Sequence, residues 1–197
     1  MIDVSTKGVG LAPDKGECYF MRGLARARKA TTKGILYSLY SAKLIENDWL
    51  KAVGTKSMFV TARNENLLAS SCLSLGIYYR VCPTDPLLKF LFGISGDFNK
   101  SIHYLTMAHE MDLESIEITK ELGISYITRG LSAKNQADIE TGRTFLREVP
   151  SLPKKLKTDT VDIEHSKLLL QDVKLCPGYS RDQQQDISED TFKKTIR

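Results

Sequence analysis

The sequence predicts an all-α protein, with antiparallel helix pairs stacked as a short, irregular solenoid that a last helix caps near the C-terminus. Three observations carry this. Apolar residues recur at three- and four-residue intervals along most of the chain. No segment gives a convincing run of alternating apolar residues; MFVTAR (58–63) comes nearest, and a lone strand cannot satisfy its own backbone. Finally, the pattern L-G-x-x-Y occurs twice, at 75–79 and 122–126, each time in the first half of a predicted helix.

The elements follow in order. Residues 1–16, rich in Gly, Pro, Asp and Lys, read as an extended lead-in. From Glu17 to about Ala30 the periodicity predicts a helix with Phe20, Leu24 and Ala27 on one side. Its other side carries a basic stripe, Arg22, Arg26, Lys29 and Lys33, with Arg28 off the stripe. A second amphipathic helix runs through Leu36, Leu39, Tyr40, Leu44 and Trp49 to a stop at Gly54. A third spans Asn64 to Val81. The two prolines and two glycines of CPTDPLLKFLFGISGD then interrupt the rhythm, and the apolar run Leu87–Phe92 predicts a short buried helix. Helices are predicted over Phe98–Met111, Glu114–Arg129 and Ala133–Val149, and a final one over Val161–Leu175, closed by Pro177–Gly178. SLPKKLKTDT is a basic loop, and 176–197 is a polar C-terminal tail. The domain reading is therefore a single helical domain over 17–175.

Of 197 residues, 42% are hydrophobic and 26% charged, the composition of a globular chain with its own core. No window approaches the apolar length that crosses a bilayer. The net charge of +4 does not by itself imply nucleic acid. Its distribution is uneven: residues 1–56 hold ten basic and five acidic side chains, whereas 97–121 hold six acidic and two basic. The four cysteines form no CxxC and lie at no metal-ligand spacing from a histidine. Cys72 and Cys82 are the candidate pair for a bridge in an oxidising compartment. The first sixteen residues lack the apolar core of a secretory signal. The location is cytoplasmic if Met1 is the native start and periplasmic if a leader has been removed.

Catalytic patterns are absent: there is no HExxH, GxxxxGK[ST], GxSxG or GxGxxG. His103 and His109 are six apart on one helix and point to different sides. Glu110, Asp112, Glu114 and Glu117 lack the alternating ligands and glycine of a calcium loop. No cofactor, metal or enzymatic activity is expected.

The segment GDFNKSIHYLTMAHEMD (96–112), following LGIYY, resembles the turn and second helix of a tetratricopeptide repeat. Gly-Asp-Phe makes the turn, and Ser101, Leu105 and Ala108 take the small, bulky and small positions. The second copy, LGISYITRG followed by NQADIETGRTFLREVP, places Ala137 near the small packing position, and a degenerate copy surrounds Gly23. The 47-residue spacing of Gly76 and Gly123, against the family's 34, marks a divergent relative, akin to the bacterial TPR proteins associated with tripartite (TRAP) transporters. The resemblance implies a non-enzymatic binding module, a scaffold or adaptor that takes a protein or peptide partner in a concave groove. It places Arg28, Arg80, Lys120, Ile124 and Thr128 along that groove. The alternative it implies is a periplasmic ligand-binding protein associated with a transporter. Apart from the resemblance, the stripe Arg22, Arg26, Lys29 and Lys33 reads as a solvated helix face or as a docking surface for an acidic partner or membrane headgroups.

Overall fold

The computed structural model describes residues 1–33, 35–55, 59–60 and 66–180. Every regular element among them is helical, and the chain divides into two compact units, Met1–Asp97 and Phe98–Arg197. The boundary falls inside the span read as one domain. It also separates the predicted pair 67–81 and 98–111.

The first unit holds α1 (Ile2–Leu11), α2 (Gly16–Lys33), α3 (Ile35–Gly54), α4 (Leu67–Val81) and α5 (Pro86–Phe92). The extended lead-in expected over 1–16 is thus corrected to a helix over most of its length. Two glycines make 2–11 a poor helix former alone; packing on α2 overrides this, with Gly8 seated against Cys18. Helices α2 and α3 form an antiparallel hairpin, since Ala30 faces Ser38 and Arg22 faces Asp48. At Gly23 an added Cβ would lie 2.6 Å from the Trp49 indole nitrogen, so the ring lies directly on the α2 backbone. Trp49 in turn meets Tyr78 of α4 edge to face. The Asn66 side chain caps α4. Val60, the described residue at the middle of MFVTAR, makes a single antiparallel bridge to Asn66; residues 58 and 61–63 lie outside the described residues.

After α4 the chain makes an excursion that closes on itself. The Gly96 N–H donates to the Pro83 carbonyl and the Asp97 N–H to that of Tyr79. A Cβ on Gly96 would sit 2.1 Å from the Cys82 carbonyl oxygen, so the neck admits only glycine. Within the excursion, Asp85 caps α5 and left-handed Gly93 ends it. The short helix is therefore where the sequence puts it, but it is not buried: Leu87, Phe90 and Leu91 are exposed.

The second unit holds α6 (Phe98–Met111), α7 (Ile116–Ala133), α8 (Gln136–Glu148) and α9 (Asp159–Gln171), with single 3-10 turns after α8 and α9. Helices α6 and α7 run antiparallel: Ser101 donates to Ser125, and Asn99 accepts from Arg129. The tightest crossing joins α7 and α8. A Cβ on Gly123 would meet the Gly142 carbonyl oxygen at 2.8 Å, and one on Gly142 would meet that of Gly123 at 2.4 Å. Backbone therefore lies on backbone, with Leu146 and Ile127 filling the flanks. Gly142 takes the packing position assigned from the sequence to Ala137, which is exposed.

The core of this unit gathers Ile124, Ile127, Leu146, Leu169, Cys176 and Tyr179. Within the tail read over 176–197, Cys176 and Tyr179 are thus fully buried, while Pro177 and Gly178 between them are exposed; 181–197 lie outside the described residues. All four cysteines are free.

Candidate functional site

The basic stripe of α2 is divided between packing and surface. Arg22 grips Asp48 of α3 in a forked arrangement, Nη2 donating to Oδ1 at 2.6 Å and Nε reaching both oxygens at 3.1 Å. Arg26 donates to the other oxygen at 2.6 Å. Asp48 is almost fully enclosed, and its carboxylate hydrogen bond raises the Arg22 pKa against the cost of burial. Lys29 and Lys33 remain exposed, Lys29 standing 5.3 Å from the Tyr37 ring centre on α3.

The second acid of α3 is also turned inward. Glu46 accepts from the Tyr79 hydroxyl at 2.7 Å through one oxygen and from Lys43 at 2.7 Å through the other. This leaves the outer positions of α3, Tyr40, Lys43, Leu44, Asn47 and Lys51, at helical spacing and without a carboxylate. The exposed Tyr40 ring meets Phe92 at the end of α5 edge to face at 5.4 Å. Beside it α5 exposes Leu87, Leu91 and Phe90, the last 85% accessible. An aromatic, aliphatic and cationic band thus runs across α3 and α5.

The groove expected from the repeat resemblance is corrected in its membership. Of its five residues only Arg28 is exposed; it lines a cleft of about 420 Å³ with Lys29, Ala25 and the start of α1. Arg80 is 6% exposed on α4. Ile124 is in the core of the second unit, and Thr128, buried beside it, bonds back to the Ile124 carbonyl. Lys120 is completely enclosed, because an amphipathic α7 covered by both α8 and α9 has little surface left.

Lys120 is the centre of a buried polar cluster. Its ammonium donates to Asp162 at 2.5 Å and to the Tyr179 hydroxyl at 2.8 Å, and lies 3.1 Å from Glu121. His165 Nδ1 and the Tyr179 hydroxyl are 2.9 Å apart. Burial pushes the Lys120 pKa down, but Tyr179, Glu121, Asp162 and Glu117 outweigh it and hold the group above its ordinary value. Burial likewise pushes the Tyr179 phenol up, against the pull of Lys120. This ammonium is a fixed counter-charge joining α7, α9 and the C-terminal segment.

The remaining sequence candidates are placed as follows. His103 is exposed beside Tyr104, and His109 stacks edge-on against Phe145. Asp112 and Glu114 meet Lys155 of the basic loop at 3.4 and 3.0 Å. Among the described residues no group of histidine, cysteine, aspartate and glutamate side chains is arranged to hold a metal ion, and no helix is long and apolar enough to cross a membrane. The sequence reading missed Tyr179 and Asp162. Their link to Lys120 spans 59 and 42 residues, beyond any local pattern. Compared with models of protein families, with curated proteins and with solved structures, the chain gives no match.

Proposed function

We propose that the chain is a non-enzymatic binding module, a divergent TPR-like scaffold or adaptor of stacked helix pairs. The two L-G-x-x-Y segments support the repeat reading: Leu75 and Gly76 in α4, and Leu122 and Gly123 in α7, are all buried. The backbone contact of Gly123 with Gly142 is of the close kind that such a helix pair requires. The observation that carries the binding role is the exposed band on α3 and α5. An isolated exposed leucine needs no explanation, but clustered Leu87, Phe90 and Leu91 beside Tyr40 mark a contact surface. On this reading the working surface is that band, and not the enclosed residues Lys120, Ile124 and Thr128.

Site-specific photocrosslinking tests it. A benzoylphenylalanine at position 90, expressed in the native host, is expected to give discrete protein or lipid adducts by gel and mass spectrometry. The same probe at exposed Thr141 of α8 is expected to give none. Equal labelling, or no adduct from position 90, would overturn the reading.

A further inference from the structure

We infer that the α3–α5 band docks on an anionic lipid bilayer, with Leu87, Phe90 and Leu91 entering the headgroup boundary and Lys51 and Lys89 facing lipid phosphates. This deepens the binding-module reading, on which it rests, by naming the partner.

Charge complementarity is the first argument. Glu46 and Asp48 are both buried, Glu46 held by Lys43 and the Tyr79 phenol and Asp48 by two arginines, so the exposed positions of α3 carry no carboxylate and exposed Lys51 adds to Lys89 of α5. Asp85, exposed at the start of α5, caps the helix by accepting from the Leu87 and Leu88 N–H groups, and the helix N-terminus offsets part of its charge. Residues 1–97 as a whole carry thirteen basic and eight acidic side chains. Such a surface is drawn to anionic headgroups.

Shape is the second. The α5 side chains stand proud of the surface, Phe90 at 85% accessible and Leu87 at 62%. A peptide helix is held by a hollow that fits it, whereas a fluid bilayer accepts protruding apolar groups without one. The chemistry of the rim agrees. Tyr40 adjoins Phe92, Lys43 flanks Gly93, and Lys29 lies over Tyr37, giving aromatic and long basic side chains where headgroups meet acyl chains.

The test is co-sedimentation of the full chain with vesicles of phosphatidylcholine alone and with about one-third phosphatidylglycerol, at low and at high salt. Binding to the anionic vesicles is expected to exceed that to the neutral ones by about tenfold or more and to fall in high salt. Phe90→Glu is expected to reduce it about tenfold, Lys89→Glu about fivefold, and Lys154→Glu in the second unit not at all. Far-ultraviolet circular dichroism checks that each variant stays folded. Independently, Phe90→Trp is expected to show emission quenched by brominated lipid, over the constant background of buried Trp49. No pelleting, equal binding to neutral vesicles, or an unaffected Phe90→Glu variant would overturn the proposal. So would self-association that Phe90→Glu abolishes, which would give the face to a second copy. Protein adducts at position 90 without vesicle binding would remove the lipid and keep the binding module; no adduct of either kind would remove both.

Discussion

Asp48 in the first unit and Lys120 in the second are both buried charges held by groups from elsewhere in the chain, yet their surroundings differ. Asp48 is gripped by two arginines that are themselves partly in water, with side chains 16% and 20% exposed. Lys120 and its partner Asp162 have no exposure at all. In the first case an acid is withdrawn from the surface of a hairpin, and the outer face of α3 is left cationic. In the second, opposite charges are sealed into one core and the surface is unaffected. Buried charge thus shapes a surface in one unit and fixes an interior in the other.

The difference is sharpest in the cost of losing one partner. Lys120→Met leaves the Asp162 carboxylate enclosed without its cation and is expected to destabilise the chain by ~3–5 kcal/mol. Asp48→Asn leaves two arginines that water can still reach and is expected to cost ~1–2 kcal/mol. Urea unfolding of both variants measures the gap; equal losses would erase the distinction.

A second contrast lies in the helix crossings. Gly142→Ala forces a methyl group onto the Gly123 carbonyl, which cannot swing aside, with an expected loss of ~2–3 kcal/mol. Gly23→Ala meets the Trp49 ring, a side chain with some freedom to tilt, and is expected to cost ~1–2 kcal/mol. Thermal melts of the two variants would reverse this order if α7 and α8 part more easily than the ring moves.

The smallest effect is a gradual one with pH. Burial raises Cys72 to about 11 and Cys82 to about 12 from their ordinary 9.0, and Lys120 and Tyr179 are also held above their ordinary values. For a group raised on folding, its contribution is complete below the unfolded-state pKa and fades as pH climbs through the folded-state value. The urea midpoint is therefore expected to fall from about pH 9 upward, the thiols of the first unit contributing first and Lys120 and Tyr179 later. Lys120→Met is expected to flatten the later part of that fall; an unchanged slope would remove Lys120 from it.

Particular residues show how far the sequence could be read. The helical period was plain, and α2, α3, α6, α7 and α8 lie within a few residues of where it put them. The α2 stripe was visible as a row, but its division between Asp48 and solvent depends on a residue 22 or 26 positions away. Helix α1 was hidden by Gly8 and Gly10, whose low propensity gave no hint of a supporting neighbour. Helix α5 was read correctly as a helix and wrongly as core. An apolar run reports a wish for burial, and nothing local tells whether a partner lies within the chain or outside it. Tyr179 sat in a stretch too polar to suggest an interior.

That tyrosine makes the short stretch from Asp172 to Ser180 act as a stopper. Pulling it out would flood a dry ionic nest with water and strip the core of Cys176 in the same movement. A nick anywhere in those nine residues would reach past the surface, to the junction on which α7 and α9 both lean.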